Sequence, residues 1–167
     1  MKVKESRLID LLSLIQTELK VLLGEEKIRI NVMAIIDNEL TIVEHTNGFS
    51  KEELKLKLKE NEGCAGKAWK NQVEVIADLT KAKDPRTDWD ISEEEYKKIN
   101  PRLKAIISIP IYGPSTYNSL IDYGVIIGVL NVDSESEIAG KFSDISKSVL
   151  GKSIAPIATF LEERRHG

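Results

Sequence analysis

The sequence predicts an α+β fold: a central, mainly antiparallel sheet of five to six strands with helices on both sides. Three observations carry that reading. Ile- and Val-rich strands come in neighbouring pairs, 27–37 with 40–46 and 104–112 with 123–133. Long amphipathic segments stand near both ends, 6–23 and 144–164. The order is helix, two strands, a helical excursion, three strands and helix, with no internal repeat.

In the first helix Leu8, Leu12, Ile15, Leu19 and Leu22 fall at spacings of four, three, four and three, a heptad seam. Ile9, Leu11, Leu14, Val21 and Leu23 widen it, and Gly24 supplies the stop. Asp37-Asn38 tolerates the positive φ of a tight turn between the first two strands, and Asn47-Gly48 closes the second. Ser50 caps a short helix over 51–58, with Glu53 three residues on as in a capping box. A glycine-flanked element, Gly63-Cys64-Ala65-Gly66-Lys67-Ala68-Trp69, precedes a short strand over 73–77 and then Asp78. Residues 80–90 read as a polar loop, and Ser92 starts a charged helix that Pro101 ends.

Strands 104–112 and 123–133 are expected to pair as the central strands, with Gly128 where bulk would crowd a neighbour. Their connection holds Tyr117, Asn118 and Leu120 and exceeds the common two to five residues, as a partner-contact insertion or a surface loop would. The last helix turns Ile145, Val149, Leu150, Ile154, Ile157 and Leu161 inward, and Pro156 predicts a kink. The division is a helix over 1–23 and one domain over 24–167 that includes the last helix, with the two terminal helices packed together.

Composition narrows the function. The 167 residues suit one domain, and 41% hydrophobic with 31% charged residues suits a globular chain. With 24 basic and 27 acidic residues, a net charge of -3, the electrostatic case for nucleic acid is missing. The single cysteine, Cys64, excludes an intramolecular disulfide, a CxxC redox pair and a multi-cysteine zinc site. The longest uncharged run, 105–121, contains Pro110, Gly113, Pro114 and Asn118, so no membrane span of about 20 apolar residues is expected. One thiol and a charged N-terminus unlike a signal peptide predict a cytoplasmic protein.

Four pieces together resemble the GAF domain pattern in order and spacing. They are the glycine-flanked element above, Val75-Ile76-Ala77-Asp78-Leu79, Ile106-Ile107-Ser108-Ile109-Pro110-Ile111, and Gly124-Val125-Ile126-Ile127-Gly128-Val129-Leu130-Asn131-Val132-Asp133. The resemblance covers roughly residues 21–163. It implies a GAF/PAS-like sheet with a small-molecule pocket between the sheet and the segments corresponding to 49–100. GAF domains usually act as sensory or dimerising modules, binding cyclic nucleotides, tetrapyrroles, amino acids or other metabolites. A few small members reduce free methionine sulfoxide.

Cys64 is the candidate nucleophile for that chemistry, but those enzymes resolve a sulfenic acid with further cysteines, which this chain lacks. Their catalytic cysteine also directly precedes the second glycine, where Ala65 stands here. A Cys–His pair has only His45 and His166 to draw on. The cyclic-nucleotide signature of related cyclases and phosphodiesterases places Asp-Glu where Ser146 and Lys147 follow Phe142, and nothing around Cys64 resembles a bilin-attachment site. Asp84, Asp88 and Asp90 lack the spacing, glycine and terminal glutamate of a calcium loop. No catalytic residue, metal or cofactor is therefore assigned.

The expected ligand site takes in Phe49, Cys64, Trp69, Asp78, Arg86, Trp89, Tyr96 and Tyr112, with Asp78 and Arg86 as polar orienters and the aromatics as walls. The expected function is a non-enzymatic sensory or regulatory module binding a small molecule, with signal output through another protein. The alternatives are a redox enzyme using Cys64 and a purely structural dimerisation domain. One sheet face covers only one stripe of each terminal helix, so a homodimer through those helices is expected.

Overall fold

The alternation of apolar and polar residues that predicts strands also fixes which face each strand buries. The structure, a computed structural model, describes residues 2–113 and 124–166. Strands β1 (Arg29–Ile36) and β2 (Glu39–His45) form the first hairpin. Asp37 and Asn38 turn it at φ +51° and +64°, the two positive values that a two-residue connection requires. β3 (Lys57–Leu58) pairs with the outer side of β2, α2 (Gly63–Asn71) follows, and β4 (Val75–Asp78) pairs with β5 (Ala105–Tyr112). β5 pairs antiparallel with β6 (Ile126–Ser134), as the sequence predicts. The complete order is β3-β2-β1-β6-β5-β4, antiparallel throughout. The middle of the sheet is β1 with β6, so β5 stands one place further out than expected. Gly128 lies where β6 meets β1 most closely: a Cβ there would run into the Met33 carbonyl and come within 2.9 Å of Leu161 Cδ1.

One face of the sheet carries the terminal helices. α1 (Lys2–Leu23) contributes Leu8, Leu12, Ile15, Leu19 and Leu23 to a core with Ile30, Val32, Leu130 and Val132 of the sheet. The seam therefore ends on Leu23, and Leu22 is exposed, because both residues straddle the buried stripe and only one can face the sheet. The last helical segment begins at Phe142, earlier than expected, and is subdivided. A short α5 (Phe142–Ile145) runs through a π turn (Ser146–Leu150) into α6 (Gly151–His166), which contains Pro156. Phe142, Ile145, Val149, Leu150, Ile157 and Leu161 are buried and Ile154 is half-buried; α6 contacts α1.

The opposite face carries the excursion. α2 packs Ala65 and Ala68 against Met33, Leu40, Leu58 and Val129. The helix expected over 51–58 is a single 3-10 turn, Glu53–Lys55. Its capping box forms, with Ser50 N donating to Glu53 Oε1 (3.0 Å) and Glu53 N to Ser50 Oγ (3.1 Å). Leu58 then pairs opposite Leu40 in the sheet, which straightens the chain. The loop over 80–90 contains α3 (Pro85–Asp88), capped by Asp84, whose Oδ1 accepts from Arg86 N at 3.1 Å. The charged helix is cut to α4 (Glu93–Tyr96), with Ser92 as its cap. Tyr117, Asn118 and Leu120 lie outside the described residues. Among the described residues no helix is long and apolar enough to cross a membrane.

Candidate ligand cavity

Strand alternation places Arg29 and Asn31 of β1, Asn131 and Asp133 of β6, and Ser108 of β5 on the face away from α1 and α6. Cross-strand register sets them in two rows. In the first, Ser108, Asn131 and Asn31 are direct neighbours across three strands. Ser108 Oγ donates to Asn131 Oδ1 at 2.6 Å, and Asn131 Nδ2 donates to Asn31 Oδ1 at 2.9 Å; all three are buried. In the second row Arg29 stands opposite Asp133. Its Nε and Nη2 donate to Oδ1 and Oδ2 of Asp133 at 2.8 and 3.0 Å, a bidentate pair. The same guanidinium reaches Glu53 of the 3-10 turn and lies over the Phe49 ring, 4.1 Å from its centroid. Arg29 thereby ties the sheet to the segment above it.

Electrostatics in this row reflect burial set against pairing. Burial pushes Asp133 up to about 6, although Arg29 pulls it down. Burial also opposes the charge of Glu53, but Arg29 and Ser50 outweigh it and hold its carboxyl below the ordinary value. For Arg29 the two carboxylates overcome burial and raise its pKa.

Above the rows lies a cavity of about 80 Å³, roofed by Leu56, Ile91, Ile99 and Leu103. An apolar cavity of about 270 Å³ lies beside it, lined by Leu79, Pro85, Trp89 and Tyr96 and sharing Cys64, Ile91, Ile99 and Ile106. Outside the same end, an open charged groove of about 920 Å³ shares Phe49, Glu53 and Ile99.

The roof is fastened to α2. Gly63 N donates to Trp89 O at 2.8 Å, and the buried Glu62 accepts from Lys59 N (3.0 Å) and Ser92 N (2.8 Å). Lys67 Nζ pairs with Asp90 at 2.6 Å. Two glycines make this junction possible: Gly63 has φ +68°, and a Cβ on Gly66 would come within 2.5 Å of the Lys59 carbonyl.

Cys64 sits in the first turn of α2, buried, its S–H donating to Val75 O at 3.4 Å. Burial pushes the thiol up to about 12, so it is a thiol and not a thiolate at neutral pH.

Of the residues expected from sequence, Phe49, Cys64, Trp89 and Tyr96 line these cavities. Trp69, Asp78, Arg86 and Tyr112 line neither of these two cavities. Trp69 packs against the cluster beneath α2, and Tyr112 Oη donates to Gln72 O at 2.8 Å. Asp78 is engaged by Thr80 and Lys81, and Arg86 sits on α3. Asp84 bonds Thr87, Asp88 accepts from Lys83 N and Asp90 pairs with Lys67, so each carboxylate of that loop has a partner. Among the described residues no three His, Cys, Asp or Glu side chains gather as metal ligands.

Arg29, Asn31, Glu53, Ser108, Asn131 and Asp133 line or border the cavity without being among the site residues expected from sequence. The signal was present: Asn131 and Asp133 are polar residues two apart after the apolar run 125–130, and Ser108 stands between Ile107 and Ile109.

The architecture is the GAF fold. The sequence itself matches no family model and no curated protein. Among solved structures, the type II free methionine-R-sulfoxide reductase of Thermoplasma acidophilum is similar with a TM-score of 0.63 at 13% identity, over 97% of this chain and 94% of that one. The free methionine-R-sulfoxide reductase of Neisseria meningitidis, solved with its substrate, gives 0.61 at 18%, over 93% and 78%. The GAF domain of a two-component sensor histidine kinase from Bacillus halodurans gives 0.58 at 19%, over 93% and 94%. Sensors and enzymes thus share this fold, and its presence alone assigns neither role.

Proposed function

We propose that this chain is a non-enzymatic sensory module that binds a small polar organic molecule between the sheet and its roof and passes the signal to another protein. The observation that carries the reading is the cavity pair: hydrogen-bonding side chains below, apolar side chains above, and a roof fastened at one side. The reductase reading draws support from the enzymes of the same fold. Against it stand the neutral thiol of Cys64 and the lack of a second cysteine to release the product.

The test is a metabolite panel read by thermal shift and by tryptophan fluorescence, since Trp89 lines the cavity and Trp69 does not. A ligand at 100 times its Kd adds about 2.7 kcal/mol, which for a chain of this size raises Tm by roughly 5–10 °C. Trp89→Phe should remove the fluorescence response and keep the thermal one. A thioredoxin-coupled turnover of free methionine-R-sulfoxide, abolished by Cys64→Ser, would replace the sensory reading with the enzymatic one.

The module is proposed to work as a homodimer through its terminal helices. Arg7, Leu11, Leu14, Glu18 and Val21 repeat the four-three spacing of the buried seam, shifted by one residue. Leu14 is 69% and Val21 78% exposed. Set antiparallel against a second copy, this stripe brings Leu11 opposite Leu14 and Arg7 opposite Glu18, so its central part joins apolar to apolar and its flanks basic to acidic. Light scattering at micromolar concentration should return the dimer mass, and Leu14→Lys with Val21→Lys the monomer mass. A monomer from the unsubstituted chain would end this part of the proposal.

A further inference from the structure

The cavity beneath the roof holds an unusual charge arrangement, and the argument from it rests on the ligand-binding reading above. A guanidinium has five N–H groups. In Arg29 all five are taken: Nε by Asp133 Oδ1, Nη2 by Asp133 Oδ2 and Glu53 Oε2, and Nη1 by Glu53 Oε1 (3.1 Å) and Gly48 O (2.7 Å). Arg29, at the cavity edge, therefore has no donor left for a ligand, and one face of its guanidinium is covered by Phe49. Two carboxylates, Asp133 and Glu53, line the 80 Å³ cavity against that single positive charge. We propose that this cavity discriminates against anions and takes a neutral or cationic ligand whose head group donates hydrogen bonds, an amine or a primary amide.

The remaining polar groups agree. Each Asp133 oxygen accepts one bond from Arg29, which leaves lone pairs for a ligand donor. Ser108 spends its hydroxyl proton on Asn131, and its oxygen, which also faces the Cys64 thiol, still has a lone pair to accept with. The Asn31 and Asn131 amides offer N–H groups but no charge, so an anion entering here would shed its water without a counter-ion. Lys97, among the described residues the one cation lining the 270 Å³ cavity, has a side chain 74% exposed and pairs with Glu93 at 3.7 Å, outside the buried polar rows. The 80 Å³ cavity has room for the head group alone, and the adjoining 270 Å³ apolar cavity, which shares Ile91, Ile99 and Leu103 with it and is lined by Trp89, has room for a branched apolar tail.

Three probes of one shape separate the possibilities: leucinamide (cationic), N-acetyl-leucinamide (neutral) and N-acetyl-leucine (anionic), titrated calorimetrically into the full chain near neutral pH. The amine and the neutral amide should bind, and the carboxylate should bind at least about tenfold more weakly, a gap of about 1.4 kcal/mol. Asp133→Asn, which removes a charge at nearly constant shape, should narrow that gap. Where this variant does not fold, Glu53→Gln makes the same change from the roof side. Equal or tighter binding of N-acetyl-leucine overturns the charge preference and leaves the cavity a binding site. Binding that neither alters Trp89 fluorescence nor responds to either substitution lies elsewhere and also overturns it. No binding by any probe at millimolar concentration overturns the ligand-binding reading and this inference with it.

Discussion

Arg29→Met is expected to lower folding stability by about 3–5 kcal/mol, because it strands buried carboxylates instead of deleting a surface charge. The Arg29 side chain is 13% exposed, and those of Asp133 and Glu53 are 7% and 12%. Adding Asp133→Asn in the same chain removes one of the two stranded charges and returns the cluster to its original net charge of about -1, so it should recover part of the loss. The pH dependence gives an independent check. A carboxyl whose folded pKa lies above its ordinary value of 3.8, as Asp133 does at about 6, binds more protons folded than unfolded between those limits. The stability it contributes is present below 3.8 and is lost as pH rises through about 6. Without Arg29 the pKa rises further, so Arg29→Met should regain stability as pH falls from neutral towards 5. Glu53 has the opposite sign in the intact protein, its stabilisation present above its ordinary 4.5 and lost as pH falls through its lowered folded value. Urea titrations across that range measure both. A variant that is within 1 kcal/mol of the parent and flat with pH would remove Arg29 from the role given to it here.

The second large effect is expected at Phe142→Ala, at about 3–5 kcal/mol, or roughly 6–20 °C in Tm. Phe142 is fully buried in the core beneath the terminal helices, and its neighbour Lys141 donates to Leu23 O at 3.1 Å. It anchors the start of the C-terminal helical segment to the end of α1. The side chain lies on the face of the sheet opposite the cavity, so ligand affinity at a temperature well below Tm should stay within twofold. A stability loss below 1 kcal/mol would mean that the core collapses around the gap, and a large loss of affinity would mean that the two faces are coupled.

The strands were legible because their signals are local and redundant. β1 and β2 announce themselves by alternation and by Asp37-Asn38, and the chain obeys both. The short helices are shorter than local propensity suggests wherever a distant partner competes with it. Residues 51–58 are rich in good helix formers, yet Glu53 is drawn to Arg29 and Leu58 to Leu40, and neither partner is visible at helical spacing. Leu22 and Leu23 flank the buried stripe equally, so periodicity cannot choose between them. The lining of the cavities was partly legible. Aromatic residues in the excursion pointed to Trp89 and Tyr96, whereas the polar floor is assembled from three strands whose order in the sheet no single segment encodes.

That floor has a consequence for how the sheet closes. Asn31, Asn131 and Ser108 lie directly opposite one another, and their side chains bond only when β1, β6 and β5 are aligned to the residue. A slip of one position in any of them would turn its amide or hydroxyl into the hydrocarbon beneath α1 and α6, and bring an isoleucine, valine or leucine up in its place. The apolar residues alone tolerate such a slip poorly, but it is the polar row that makes the penalty fall at one register and no other. The three side chains proposed to meet a ligand thus also set the register in which the three strands are joined.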